Sequence, residues 1–203
     1  MKTKDRIIKK ALSLFNQNGV YNVSTNHIAQ ALDMSPGNLY YHFKDKEDIV
    51  RSIYDQMIEF MDKVWVTGKQ PDPASSIVDI IAVTMRLQYK YRFFYREIGV
   101  LLEKDPILRK KYCENRQERL EKMLVFLTES QIMGSLIESG SRDKQYLLLE
   151  TIWFIIEWGI QHGLVLKQLS AKELITSNIK MLILFISPYL SPEAKVMLEQ
   201  KIK

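Results

Sequence analysis

Residues 24 to 46, S-T-N-H-I-A-Q-A-L-D-M-S-P-G-N-L-Y-Y-H-F-K-D-K, leave room for two short helices and only a tight turn between them. Ser35 is placed to cap the second helix with its side-chain oxygen. Pro36 suits the first helical position, where its fixed φ is already helical and its missing N–H goes unused. Leu39 and Phe43 lie four apart and share one face, so burying them turns Gly37, Asn38, Tyr40, Tyr41 and His42 toward the other sides. The first helix begins at Ser24 or Thr25 with Ile28, Ala29 and Leu32 as its apolar stripe, and Asp33, Met34 and Ser35 make the turn. The remaining wall of this small core is expected from residues 4 to 17, where Ile8, Ala11, Leu12 and Phe15 repeat at helical spacing and Gly19 stops the helix.

A three-helix unit whose last helix shows small, aromatic and hydrogen-bonding residues to solvent has the layout of a DNA-reading helix-turn-helix. Gly37 is costly so early in a helix, by about 0.5–1 kcal/mol relative to alanine. Two readings of it stand. It admits close approach to phosphates or base edges at a helix N-terminus, or it eases a tight turn.

The segments G-N-L-Y-Y-H-F-K-D-K-E-D-I and A-L-S-L-F-N-Q-N-G-V-Y-N-V-S-T-N-H-I-A resemble the N-terminal domain of the TetR/AcrR family of bacterial transcriptional regulators, over about residues 5 to 55. The resemblance implies an all-α homodimer whose N-terminal heads bind a palindromic operator on double-stranded DNA and whose C-terminal bodies bind a small hydrophobic or amphipathic effector. Carried over by position, it implies phosphate contacts from Thr25, Tyr41, His42 and Lys46, with Gly37, Asn38 and Tyr40 nearest the bases. No arginine, the side chain that most often reads guanine, lies on this face. Base readout is then expected to lean on Asn38, the tyrosines, apolar contact and DNA shape.

Charge agrees with this division. Residues 1–44 carry six Lys/Arg against two Asp/Glu, leaving 23 against 22 of the chain's 29 and 24 for the remainder. Lys2, Lys4, Arg6, Lys9 and Lys10 cluster at the start of the first helix, either as a phosphate-attracting patch or as a solvated face. With 203 residues and 46% hydrophobic composition the chain can bury a sizeable core. We expect a DNA-binding domain over 1–46 and a helical effector-binding and dimerisation domain over 47–203.

After the head the chain reads as helix upon helix. Apolar spacing runs from about Asp45 to a break at Gly68. Ser76 with Asp79 resembles a capping box for a helix to about Tyr91, and Asp105-Pro106 starts another to about Glu129. Gly134 and Gly140 frame a break before an apolar helix over 142–167. Ser170 with Glu173 opens a helix ending at Ser187-Pro188, and Ser191-Pro192-Glu193 starts a short last one. β-Hairpin signals are absent.

Two of these helices, carrying Ile152, Ile156, Gly159 and Gly163 on one and Ile175, Ile179, Leu182 and Ile186 on the other, are candidates for a dimer interface, with intrachain packing as the alternative. An effector pocket is sought among Met61, Trp65, Tyr89, Phe93, Phe94, Arg96, Trp153 and Glu157, an aromatic set with two charged anchors. For single aromatics the alternative is ordinary core packing, and for Glu157 a polar stripe shared with Asp143, Glu150 and Gln161.

Other classes find little support. No G-x-S-x-G, G-x-x-x-x-G-K-[ST] or H-E-x-x-H motif occurs, so an enzyme is not expected. Three dispersed histidines and one cysteine make no metal-ligand cluster, and no cofactor is expected. The N-terminus lacks a secretory apolar run, the long apolar stretches are interrupted or too short to cross a membrane, and the lone Cys113 suits a reducing, cytoplasmic setting. A DNA-binding protein of the same fold, constitutive or controlled by a protein partner, remains the alternative function.

Overall fold

The computed structural model describes residues 2–67, 73–130, 141–167 and 169–196, and within them the side chains of all but 64–67, 73–78, Leu127, Ser130, Ile160 and Leu166. The described residues are helical without a strand, as expected. Among the described residues, in chain order, the α-helices include α1 (Thr3–Asn18), α2 (Thr25–Gln30), α3 (Pro36–His42), α4 (Lys46–Thr67), α5 (Pro73–Lys90), α6 (Arg92–Lys104), α7 (Pro106–Ser130), α8 (Arg142–Gln161) and α9 (Ala171–Ile186), and residues 192–196 are helical after the expected Ser191-Pro192 start. A π-helical turn (His162–Leu166) follows α8. Helix α5 starts at Pro73, three residues before the capping position expected at Ser76. The breaks expected at Gly68, Gly134 and Gly140 fall outside the described residues.

The chain folds into two compact units, Met1–Asp62 with Lys90–Arg109 and Lys63–Tyr89 with Lys110–Lys203. The boundary expected at residue 46 coincides with the start of α4, whereas the first unit runs on through most of that helix and takes in α6.

In the first unit α1, α2 and α3 bury Ile7, Ile8, Ala11, Phe15, Ile28, Ala29, Leu39 and Phe43. Ile7 joins the α1 stripe in place of Leu12, which is half-buried. Gly19 ends α1 at φ 80°, a left-handed value that glycine tolerates, and its N–H returns to the Phe15 carbonyl at 2.9 Å. Helix α6 closes this core. Phe93 is fully buried with its ring 5.4 Å from that of Phe15, and Phe94 lies 5.2 Å from Tyr54 of α4.

Polar bonds fix α6 in place. Its N-cap residue Tyr91 supplies no side-chain cap; instead Asn16 Oδ1 accepts the Phe93 N–H at 3.1 Å while Asn16 Nδ2 donates to the Lys90 carbonyl at 2.8 Å. Glu97 accepts the Val20 N–H at 3.1 Å just beyond α1, and Arg96 donates to the Phe15 carbonyl at 3.4 Å.

In the second unit Ile81 and Met85 of α5, Leu120 and Leu124 of α7, Leu148, Leu149 and Ile152 of α8, and Leu182 and Ile186 of α9 form one core. Ser170 and Glu173 make the expected reciprocal capping box at the start of α9. Helices α8 and α9 pack closely because Gly159 presents no side chain to Asn178, which is 2% exposed.

A Cβ at residue 159 would stand 2.5–2.7 Å from three Asn178 side-chain atoms. We therefore expect Gly159→Ala to destabilise the protein by about 1–3 kcal/mol despite alanine's higher helix propensity. Chemical denaturation checks this, and unchanged stability would contradict the described α8–α9 contact.

Candidate nucleic-acid interface

Helix α3 is held from both sides. Ser35 Oγ accepts the Asn38 N–H at 3.2 Å with Pro36 at the first turn, and Leu39 and Phe43 anchor it to the core. Asp33 makes the turn before it at φ 53°, a left-handed conformation that aspartate tolerates better than most side chains. What remains outward is the expected set. Gly37, Asn38, Tyr40 and Tyr41 are exposed and His42 is half-buried.

Two contacts order this face. Tyr40 OH and Thr25 Oγ1 lie 2.9 Å apart, joining α3 to the first residue of α2. Tyr41, 84% exposed, sets its ring edge-on to His42 at 5.1 Å.

A Cβ on Gly37 would meet nothing within 4 Å, and its φ lies outside the left-handed region. The glycine thus neither relieves crowding within the chain nor permits an unusual turn, which removes the turn-easing reading. Lys4 lies over the Phe43 ring at 5.1 Å, bringing the basic start of α1 to the end of α3. Lys2, Arg6, Lys9 and Lys44 are exposed.

Lys46 is more constrained than expected. Its Nζ donates to the Val20 carbonyl at 2.8 Å and stands 5.6 Å from the Tyr21 ring centre, tying α4 to the segment between α1 and α2. An ammonium has three donors, so this bond narrows a phosphate role without removing it.

The expected effector set is divided. Phe93 and Phe94 are core residues of the first unit, and Arg96 is engaged by the Phe15 carbonyl and by Glu97 at 3.6 Å. For these aromatics the alternative of ordinary core packing holds, because Phe93, Phe94, Tyr95 and Leu101 are the buried residues of α6. Met61 is buried in the first unit, Tyr89 is half-buried in the second, and the Trp65 side chain lies outside the described residues.

Trp153 and Glu157 do share a cluster, on α8 in the second unit. The Glu157 carboxylate accepts the Tyr112 hydroxyl from α7. Arg116 of α7 pairs with Glu150 at 3.1 Å and lies over the Trp153 ring at 5.8 Å. The buried Trp153 indole N–H makes no hydrogen bond of ordinary geometry, yet it is close enough to favour the charged form of Glu157. Burial outweighs these contacts and raises the Glu157 pKa above the usual carboxylate value. Glu157 therefore does not belong to a solvated stripe.

The residues expected at a dimer interface face inward. Ile152, Leu182 and Ile186 are buried in the core, and Ile156, Ile175 and Ile179 pack against it. Gly159 and Gly163 receive Asn178 and Leu174 of the same chain. The outward apolar residues are instead Leu147, Phe154 and Trp158 of α8, Val165 of the π-helical turn, and Met181 and Leu184 of α9. Phe154, Trp158, Val165 and Met181 line a groove of about 610 Å³. Both helices are apolar on so many sides that periodicity alone does not say which side is inward.

No helix among the described residues is long and apolar enough to cross a membrane, and no group of three or more His, Cys, Asp or Glu side chains there could hold a metal ion.

Comparison with known proteins agrees with the head's geometry. The family of "Bacterial regulatory proteins, tetR family" matches residues 7–53, and "Bacterial transcriptional repressor" matches residues 56–198. The probable HTH-type transcriptional regulator YttP of Bacillus subtilis is 26% identical over 163 residues, 76% of this chain and 72% of that protein. A TetR-family transcriptional regulator from Marinobacter aquaeolei VT8 is 30% identical over the whole of both chains with a TM-score of 0.85. The fold is shared by the regulator FadR from Bacillus subtilis, solved in complex with stearoyl-CoA. That protein is 20% identical with a TM-score of 0.67, the match covering 88% of this chain and 97% of its own. The chain belongs to the TetR family and is a DNA-binding transcriptional regulator, not an enzyme.

Proposed function

We propose that this regulator binds a palindromic operator as a homodimer, represses transcription there, and is released by a hydrophobic or amphipathic small molecule. The observation that carries the DNA part is the open, exposed face of α3, on which Gly37 has no intrachain reason to lack a side chain. Gly37, Asn38 and Tyr40 approach base edges. Thr25, Tyr41, His42 and the remaining donors of Lys46 contact phosphates, and the basic start of α1 adds a salt-dependent attraction.

A second copy is the natural partner for the outward apolar face of α8 and α9, where Leu147 is 66% and Leu184 77% exposed. An isologous pair supplies the two heads a palindrome requires.

Effector binding is assigned to the second unit, with Trp153 and Glu157 as its polar anchors. Stearoyl-CoA on FadR, a protein of the same fold, supports an amphipathic class. Release requires the effector to favour the DNA-incompetent state, and a coupling of about 1–3 kcal/mol gives roughly 5–150-fold relief. Titration of amphipathic candidates with and without DNA from upstream of the protein's own gene tests this, equal affinity in both arms being the contrary result.

Gly37→Ala should raise thermal stability slightly, since alanine is the better helix former, while weakening operator binding by about 1 kcal/mol or more. Band shifts alongside thermal melts check it, and unchanged binding would remove Gly37 from the interface. Trp158→Glu places a charge on the proposed dimer face and should shift the protein to monomers in sedimentation. A persistent dimer would move the interface elsewhere.

Because the folded-state pKa of Glu157 is raised, its favourable contribution is complete below the ordinary carboxylate range and is lost as pH rises through the raised value. Glu157→Gln keeps an acceptor for Tyr112 without the charge. Its stability relative to the native protein should therefore improve as pH rises from the ordinary carboxylate range through the raised Glu157 pKa, as read by thermal melts. A difference independent of pH would contradict the assignment.

A further inference from the structure

Arg51, in the second turn of α4, holds two carboxylates at once. Its Nη1 donates to Asp105 Oδ2 at 2.8 Å, and its Nη2 reaches Asp45 Oδ1 at 3.4 Å. Each carboxylate also caps a helix. Asp105, 7% exposed, accepts the Ile107 and Leu108 N–H groups at 3.0 Å on its other oxygen, closing the start of α7. Asp45, three residues after the end of α3, accepts the Asp48 N–H at 2.7 Å at the start of α4. One planar guanidinium therefore joins the cap of α7 to the segment that follows the recognition helix.

All of these groups lie in the first unit. Helix α7 continues into the second, where its Tyr112 donates to Glu157 and its Arg116 pairs with Glu150. The helix that meets the α8 cluster is thus the helix whose cap Arg51 grips.

We propose that Arg51 is a positioning residue through which a displacement of α7 reaches the recognition helix. A buried carboxylate is costly without its cation, so Arg51 follows Asp105 if the start of α7 shifts. The rigid fork of the guanidinium carries the same movement to Asp45, which a single ammonium point charge would not do. This inference rests on the DNA reading of α3 given above.

A double-mutant cycle tests it without any effector. Affinity for DNA from upstream of the protein's own gene is measured by anisotropy for the native protein, Tyr112→Phe, which removes the α7 hydroxyl that bonds Glu157, Asp105→Asn and the pair, with thermal melts of each. Asparagine retains the helix cap while removing the charge that Arg51 holds. Arg51→Lys is the second background should Asp105→Asn melt early.

Tyr112→Phe should weaken DNA binding by about fivefold in the native background and by less than about twofold when Asp105 or Arg51 is changed, while shifts in melting temperature add. Equal fold-changes in every background, or none in the native one, would overturn the proposal while leaving the DNA reading intact. Failure of the native protein to bind would overturn that reading and this inference with it.

Discussion

The head of this protein depends on covering Phe15, and α6 supplies the cover. Phe93 is fully buried 5.4 Å from the Phe15 ring, and Asn16, Arg96 and Glu97 bond the two helices at their ends. A helix late in the chain thereby becomes a wall of the DNA-reading domain. The face of α3 inherits its position from this core, because Leu39 and Phe43 anchor it to the same interior.

Local chemistry makes much of this legible in the sequence. Ser35 with Pro36, Gly19 after α1, and Ser170 with Glu173 act within one turn of the chain, and each stands where the residue types place it. The outward set on α3 followed from two apolar residues four apart. Long-range choices were not legible in the same way. The run of aromatics around Phe93 suits a pocket or a core equally well, and only the position of Phe15 decides between them.

The faces of α8 and α9 show the same limit. Each helix carries more apolar surface than one neighbour can cover, so spacing could not distinguish Ile152, which faces the core, from Phe154, which faces out. Gly159, a candidate for the dimer seam by its residue type, instead receives Asn178 of the same chain. Arg51 and Asp105, 54 residues apart, left no sequence trace of their pairing.

A head whose outer helix is closed by α6 should respond to DNA as one body. Hydrogen exchange of the protein with and without its operator measures this directly. Protection is expected to appear at residues 35–46, with α1 and α6 gaining stability together, by the same opening free energy. Protection of α1 with α6 unchanged, or α6 exchanging in step with α8 and α9, would contradict it.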